Sequence, residues 1–92
     1  MIKDVITLQR IFKNPDTDEI LTSRVAIDLL EIVQIEEYPF DLNNFKGYGD
    51  ICYIDTFWVR GQMFTVSYDK MLARWKQALD KKRVIVNLQT NN

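Results

Sequence analysis

The chain has no histidine, one cysteine, three glycines and two prolines among its 92 residues, and each shortage closes a route to chemistry. Without histidine, the usual general base at neutral pH and the commonest transition-metal ligand are both missing. Cys52 alone can make neither an intramolecular disulfide nor a thiolate metal site, and a lone thiol agrees with a reducing compartment. Gly47, Gly49 and Gly61 do not form a loop that could cradle phosphate on backbone N–H groups. Long apolar runs are also missing. The longest span only a few residues, far below the ~20 needed to cross a bilayer. The N-terminus, MIKDVITLQR, has no basic segment leading into an apolar one. The chain therefore reads as soluble and cytosolic, without membrane contact. Charge of one sign is lacking as well: 12 Lys and Arg against 13 Asp and Glu leave a net charge of −1. Such a balance provides no overall field toward nucleic acid. No cofactor or metal is implied.

What is present is an ordinary globular composition, with 47% apolar and 27% charged residues, without the low-hydrophobicity, high-charge signature of disorder. A chain of this length suits one small domain, which buries only somewhat over ~60% of its unfolded surface. Lys3 to Lys13 places Ile6, Leu8 and Phe12 at period two, the pattern of a strand buried mainly on one face. Asn14-Pro15-Asp16-Thr17-Asp18 then forms a turn, because proline presets φ and Asx side chains bond their own backbone. Ile20 to Ile27 returns as a second strand. Leu30 to Tyr38 is a third, although LLEIVQIEE also satisfies helical spacing; its β-branched residues favour the strand.

Pro39 to Asp50 fits no regular element. Asp50 to Arg60 and Met63 to Val66 read as a hairpin around Gly61, with Ile51, Tyr53, Phe57 and Val59 on one face and Cys52, Ile54 and Trp58 on the other. A strand apolar on both faces is central or covered twice. Ser67 is a good N-cap, Asp69 favours the positive end of a helix, and Val66 can staple against Met71. Met71, Leu72, Trp75 and Leu79 make an apolar stripe, so a helix from about Tyr68 to Lys81 should lie on the sheet. Val84 to Leu88 reads as a short last strand. The fold expected is α+β, a mostly antiparallel sheet of four to six strands with one C-terminal amphipathic helix packed on it, over a single domain from residue 1 to 92.

Several constellations imitate chemistry. Asn14, Asp16 and Asp18 alternate like the opening of a calcium loop, but Glu19 stands where such a loop needs glycine and Val25 where it needs a bidentate glutamate. Ser67-Tyr68-Asp69-Lys70 matches Ser-x-x-Lys without either companion motif of the serine enzymes that use it, and an N-cap explains the serine. Cys52 has no histidine to activate it and reads as a buried structural thiol. Asp55 interrupts an apolar strand and is expected to sit at a sheet edge or to pair with a lysine or arginine. No catalytic residue is assigned.

The candidate contact residues are Tyr38, Phe40, Phe45, Lys46 and Tyr48, because aromatic side chains bring large contact area at low entropy cost. The competing reading tucks the same rings under the loop as a satellite core. A nucleic-acid platform would interleave more Arg and Lys than Lys46 alone. The alternative nucleic-acid contact is the basic run Lys81, Lys82 and Arg83.

From Glu31 onward, GDICYIDTFWVRGQMFTVSYDKMLARWKQAL followed by RVIVNL resembles half of a LytTR-type DNA-binding domain, whose closing strand carries a similar Val-Asn-Leu. The same stretch, with LLEIVQIEEY before it, is similar to small flagellar FlbD-type proteins. The resemblance implies the order strand, hairpin, helix, strand; for the LytTR type it also implies DNA contact through basic residues after the helix, here Lys81, Lys82 and Arg83. The residues taken together point to a non-enzymatic binding or assembly protein working through protein contacts or self-association, of the kind seen in small cytosolic or virus-encoded adaptors and structural subunits. A DNA-binding regulator and a small-molecule sensor with a pocket between helix and sheet are the rival classes. An apolar hairpin strand and an exposed last strand would both invite a second copy.

Overall fold

A computed structural model describes residues 4–39, 45 and 47–90, with side chains described through Lys82. β1 (Val5–Lys13) and β2 (Ile20–Asp28) form a long hairpin, in unbroken register from Val5 opposite Asp28 to Lys13 opposite Ile20. Its turn is held by the residues expected of it. Asn14 Oδ1 accepts from Asp16 N–H at 2.9 Å, Asp18 N–H donates to Asn14 O at 2.8 Å, and Asp18 takes the left-handed φ of 59° that aspartate tolerates better than most residues.

Asp28 ends β2 by accepting from Leu30 N–H at 3.0 Å, starting a single 3₁₀ turn, Leu29–Glu31. β3 (Ile32–Glu37), β4 (Cys52–Thr56) and β5 (Gln62–Phe64) follow. The five strands lie in the order β2-β1-β5-β4-β3, and every neighbouring pair is antiparallel. The last element is helix α1, Tyr68–Thr90, capped by Ser67, whose Oγ accepts from Lys70 N–H at 3.2 Å.

The helix corrects the expectation of a final strand at Val84 to Leu88. No glycine, proline or asparagine stands between Ser67 and Val86 to stop a helix already nucleated and capped, and each added residue gains a backbone bond. That gain outweighs the β preference of Val84, Ile85 and Val86, which amounts to a few tenths of a kilocalorie per residue. The sheet edge expected from that strand is therefore absent.

Two clusters hold the fold. On one sheet face Ile27, Ile32, Cys52, Ile54 and Phe64 meet Met71 and Ala78 of α1, with Trp75 and Tyr68 packed at the margin. The opposite face carries a smaller cluster, Ile11, Phe45 and Ile51, ringed by Ile20, Tyr38 and Met63. Tyr38 meets Phe45 edge to face, centroids 5.9 Å apart, and Tyr53 at 5.7 Å, spacings at which aromatic pairs attract beyond simple burial.

Candidate functional site

Among the described residues, the two most exposed large apolar side chains sit on the turn joining β4 to β5, with a third exposed one beside them. Phe57 is 69% exposed, Trp58 80% and Val59 44%. This corrects their assignment to strand faces: β4 ends at Thr56, because short polar side chains there hold the backbone in a turn in place of the ladder. Thr56 Oγ1 accepts from Trp58 N–H at 3.3 Å and Val59 N–H at 3.1 Å, while Thr56 N–H donates to Val59 O at 2.9 Å. Asp55 Oδ1 accepts from Gly61 N–H at 2.6 Å. Gly61 closes the turn at φ 76°, a conformation that favours glycine.

A second brace comes from the 3₁₀ turn. Phe57 N–H donates to Glu31 O at 3.2 Å, and Trp58 Nε1–H donates to Glu31 Oε2 at 3.1 Å. The tip is thus tied to two separate parts of the chain, and its three apolar side chains project without a cover. Asp55, expected at a sheet edge or paired with a lysine or arginine, lies instead on an inner strand and is bonded to a backbone N–H.

No protein-family model matches this chain, and no characterised protein or solved structure gives a significant match. The site is therefore read from its own geometry.

The aromatic segment after β3 is divided by the fold. Phe45 is buried at 7% exposure and Tyr38 is half-buried beside it, so both serve the second core. Tyr48 is exposed. Phe40 and Lys46 lie outside the described residues. Of the basic run, Lys81 and Lys82 are exposed, and Lys81 Nζ stands 3.4 Å from Asp4 Oδ1; Arg83 is helical, with its side chain outside the described residues. Cys52 is fully buried, and burial pushes its thiol up to about 11. A thiol held neutral is a poor nucleophile. Ser67 serves as the helix cap. Among the described residues no cluster of three or more His, Cys, Asp or Glu is placed to hold a metal ion, and no helix is long and apolar enough to cross a membrane.

Sequence reasoning missed the exposure of the apolar triplet at this turn. Alternation made Phe57, Trp58 and Val59 look like strand residues, whereas the signal for a turn was Asp55-Thr56 followed by Arg60-Gly61, a pair of short acceptors and a glycine flanking the apolar triplet.

Proposed function

We propose that this protein is a non-enzymatic binding protein, an adaptor or structural subunit, that engages a protein partner through the Phe57-Trp58-Val59 tip. The observation that carries the reading is the combination of exposure with restraint. An exposed tryptophan on a loose loop would lose conformational freedom on binding, but a tip already tied by Asp55, Thr56 and Glu31 has little left to lose. Aromatic anchors of this kind fill a pocket on the partner and dominate interface energetics.

A protein pocket suits the tip better than a lipid surface. Glu31 and Asp55 bracket it, and sinking the rings into an anionic headgroup layer would force their carboxylates against like charge. Cys52, the sole cysteine, fits a protein working in a reducing, cytoplasmic setting.

The test has two parts. Light scattering behind a sizing column at two concentrations, on the native chain and on a Phe57→Ser, Trp58→Ser variant, asks whether the tip contacts a second copy. A photo-crosslinking phenylalanine analogue at position 58, expressed in the native host, asks whether it contacts another protein. An oligomer abolished by the double change, or a discrete protein adduct, supports the reading. A monomer that crosslinks to nothing, or only to nucleic acid or lipid, overturns it.

A further inference from the structure

β1 is paired along its full length on one side only. Toward β2 the register runs from Val5 to Lys13; toward β5 it covers Arg10 and Ile11, with one further bond from Thr65 N–H to Gln9 O at 3.0 Å. The bonds at either end of the hairpin fix which way each backbone group points. Asn14 N–H donates to Glu19 O and Leu29 N–H to Asp4 O, both at 2.8 Å. Even-numbered residues of β1 therefore turn their backbone toward β2, and alternation turns Val5 and Thr7 the other way. Among the described residues, no backbone partner meets Val5 or Thr7 on that side.

Two adjoining clefts lie between this part of β1 and helix α1. One, of about 480 Å³, is walled by Ile6, Leu8, Val66 and Met71, with Lys70 and Arg74 at the helix side. The other, of about 310 Å³, shares Ile6, Arg74 and Gln77 and adds Asp4, Leu29 and Lys81. Lys70, Arg74, Gln77 and Lys81 recur at i, i+4, i+7 and i+11, a single stripe along the helix. The groove therefore has an apolar floor, a cationic wall and an unpaired strand edge. At its far end Asp4 Oδ2 is buried without a hydrogen-bond partner, although Oδ1 of the same residue faces Lys81.

We infer that this groove takes an extended peptide segment of a partner protein. The segment pairs its backbone with Val5 and Thr7, sets apolar side chains against Ile6, Leu8, Val66 and Met71, and carries an acidic residue opposite Lys70 and Arg74. Strand addition of this kind draws affinity from main-chain bonds and specificity from alternate side chains. A nucleic-acid strand would satisfy the cations, but it has no alternating amide donors to match Thr7, and its phosphates would meet the Asp4 carboxylate.

The experiment uses the full chain as bait for random 12-residue peptides displayed on phage, with affinities of the selected peptides then measured by fluorescence anisotropy. The expected winners alternate apolar and acidic residues. Lys70→Glu with Arg74→Glu should weaken them about tenfold or more. Thr7→Pro should weaken them several-fold, since it removes an outward N–H and leaves the β2 ladder intact. Should Thr7→Pro fail to fold, the charge reversal, on two exposed side chains, decides alone. Phe57→Ser with Trp58→Ser should leave peptide affinity unchanged, which separates failure at this groove from failure at the tip. A selection that yields no peptide or only basic ones, binding that survives the charge reversal, or displacement by a single-stranded oligonucleotide as readily as by unlabelled peptide overturns the inference.

Discussion

The indole of Trp58 donates its Nε1–H to Glu31 Oε2 at 3.1 Å while the residue remains 80% exposed. The polar edge of the ring is satisfied and its apolar faces are not, so the contact orients the side chain without covering it. Glu31 belongs to the 3₁₀ turn between β2 and β3, and the bond therefore joins segments that the chain separates by 27 residues. Orientation of this sort lowers the entropy cost of docking an aromatic anchor.

Replacing Glu31 with alanine should free the indole while barely touching the fold. The bond is exposed, so its loss should cost no more than about 1 kcal/mol in denaturant unfolding. The nuclear magnetic resonance signal of the Trp58 indole N–H should show faster exchange with water and move toward its position in an unstructured peptide. An unmoved signal would mean that the backbone bonds of the tip hold the ring without Glu31.

Gly61→Ala should cost about 1 kcal/mol in urea unfolding, and Asp55→Ala a similar amount. Gly61 stands at φ 76° with open space where a Cβ would be, so its penalty is conformational and owes nothing to a clash. Asp55→Ala removes the acceptor of the Gly61 N–H. Because both changes loosen one turn, the double variant should lose less than the sum of the two. Strict additivity would show that the side chain and the left-handed backbone act separately.

The hairpin of β1 and β2 was legible because Ile6 and Leu8 alternate toward the core and Asn14 to Asp18 carry turn chemistry in their own side chains. Ser67 announced the helix for a similarly local reason. What escaped was decided at a distance. Whether Phe45 is core or surface depends on Ile11 and Ile51, which sequence alone does not bring to it. Phe57 and Val59 have the alternation of a strand but no strand lies opposite them, because β5 starts only at Gln62, and their backbone bonds go to Glu31 and Thr56 instead. The open edge of β1 at Val5 and Thr7 has the same origin, since a three-residue β5 cannot pair a nine-residue β1.

The division of the aromatic segment makes a direct forecast. Phe45→Ala should destabilise the protein by about 3 kcal/mol or more, as expected for an aromatic ring removed from a packed site, here bounded by Ile11, Ile51 and Tyr38. Tyr48→Ala, at a position 40% exposed, should stay within about 0.5–1 kcal/mol. Chemical denaturation of the two variants side by side gives the comparison. Equal losses would place Tyr48 in the core with Phe45.

Cys52 should give the fold an alkaline limit. Its thiol has no exposed surface, and burial raises its pKa from 9.0 to about 11, whereas the unfolded chain ionises near the ordinary value. Below about pH 9 both states keep the proton and the residue adds no pH dependence. Between about pH 9 and 11 the unfolded chain releases the proton and the folded one retains it, so stability falls as pH rises. Above about 11 both are ionised and the slope ends. A shift of this size corresponds to roughly 2–3 kcal/mol at most. Burial also raises Tyr53, helped by the charges of Tyr38 and Glu36, so the native chain alone cannot isolate the thiol. Comparison with Cys52→Ala can, because Tyr53 titrates in both. The variant should start about 1 kcal/mol less stable at pH 8 and then lose about 2 kcal/mol less than the native chain by pH 11 in urea titrations. Parallel curves would mean that the folded protein admits the thiolate, and that the core around Cys52, Ile54 and Phe64 opens to water at high pH.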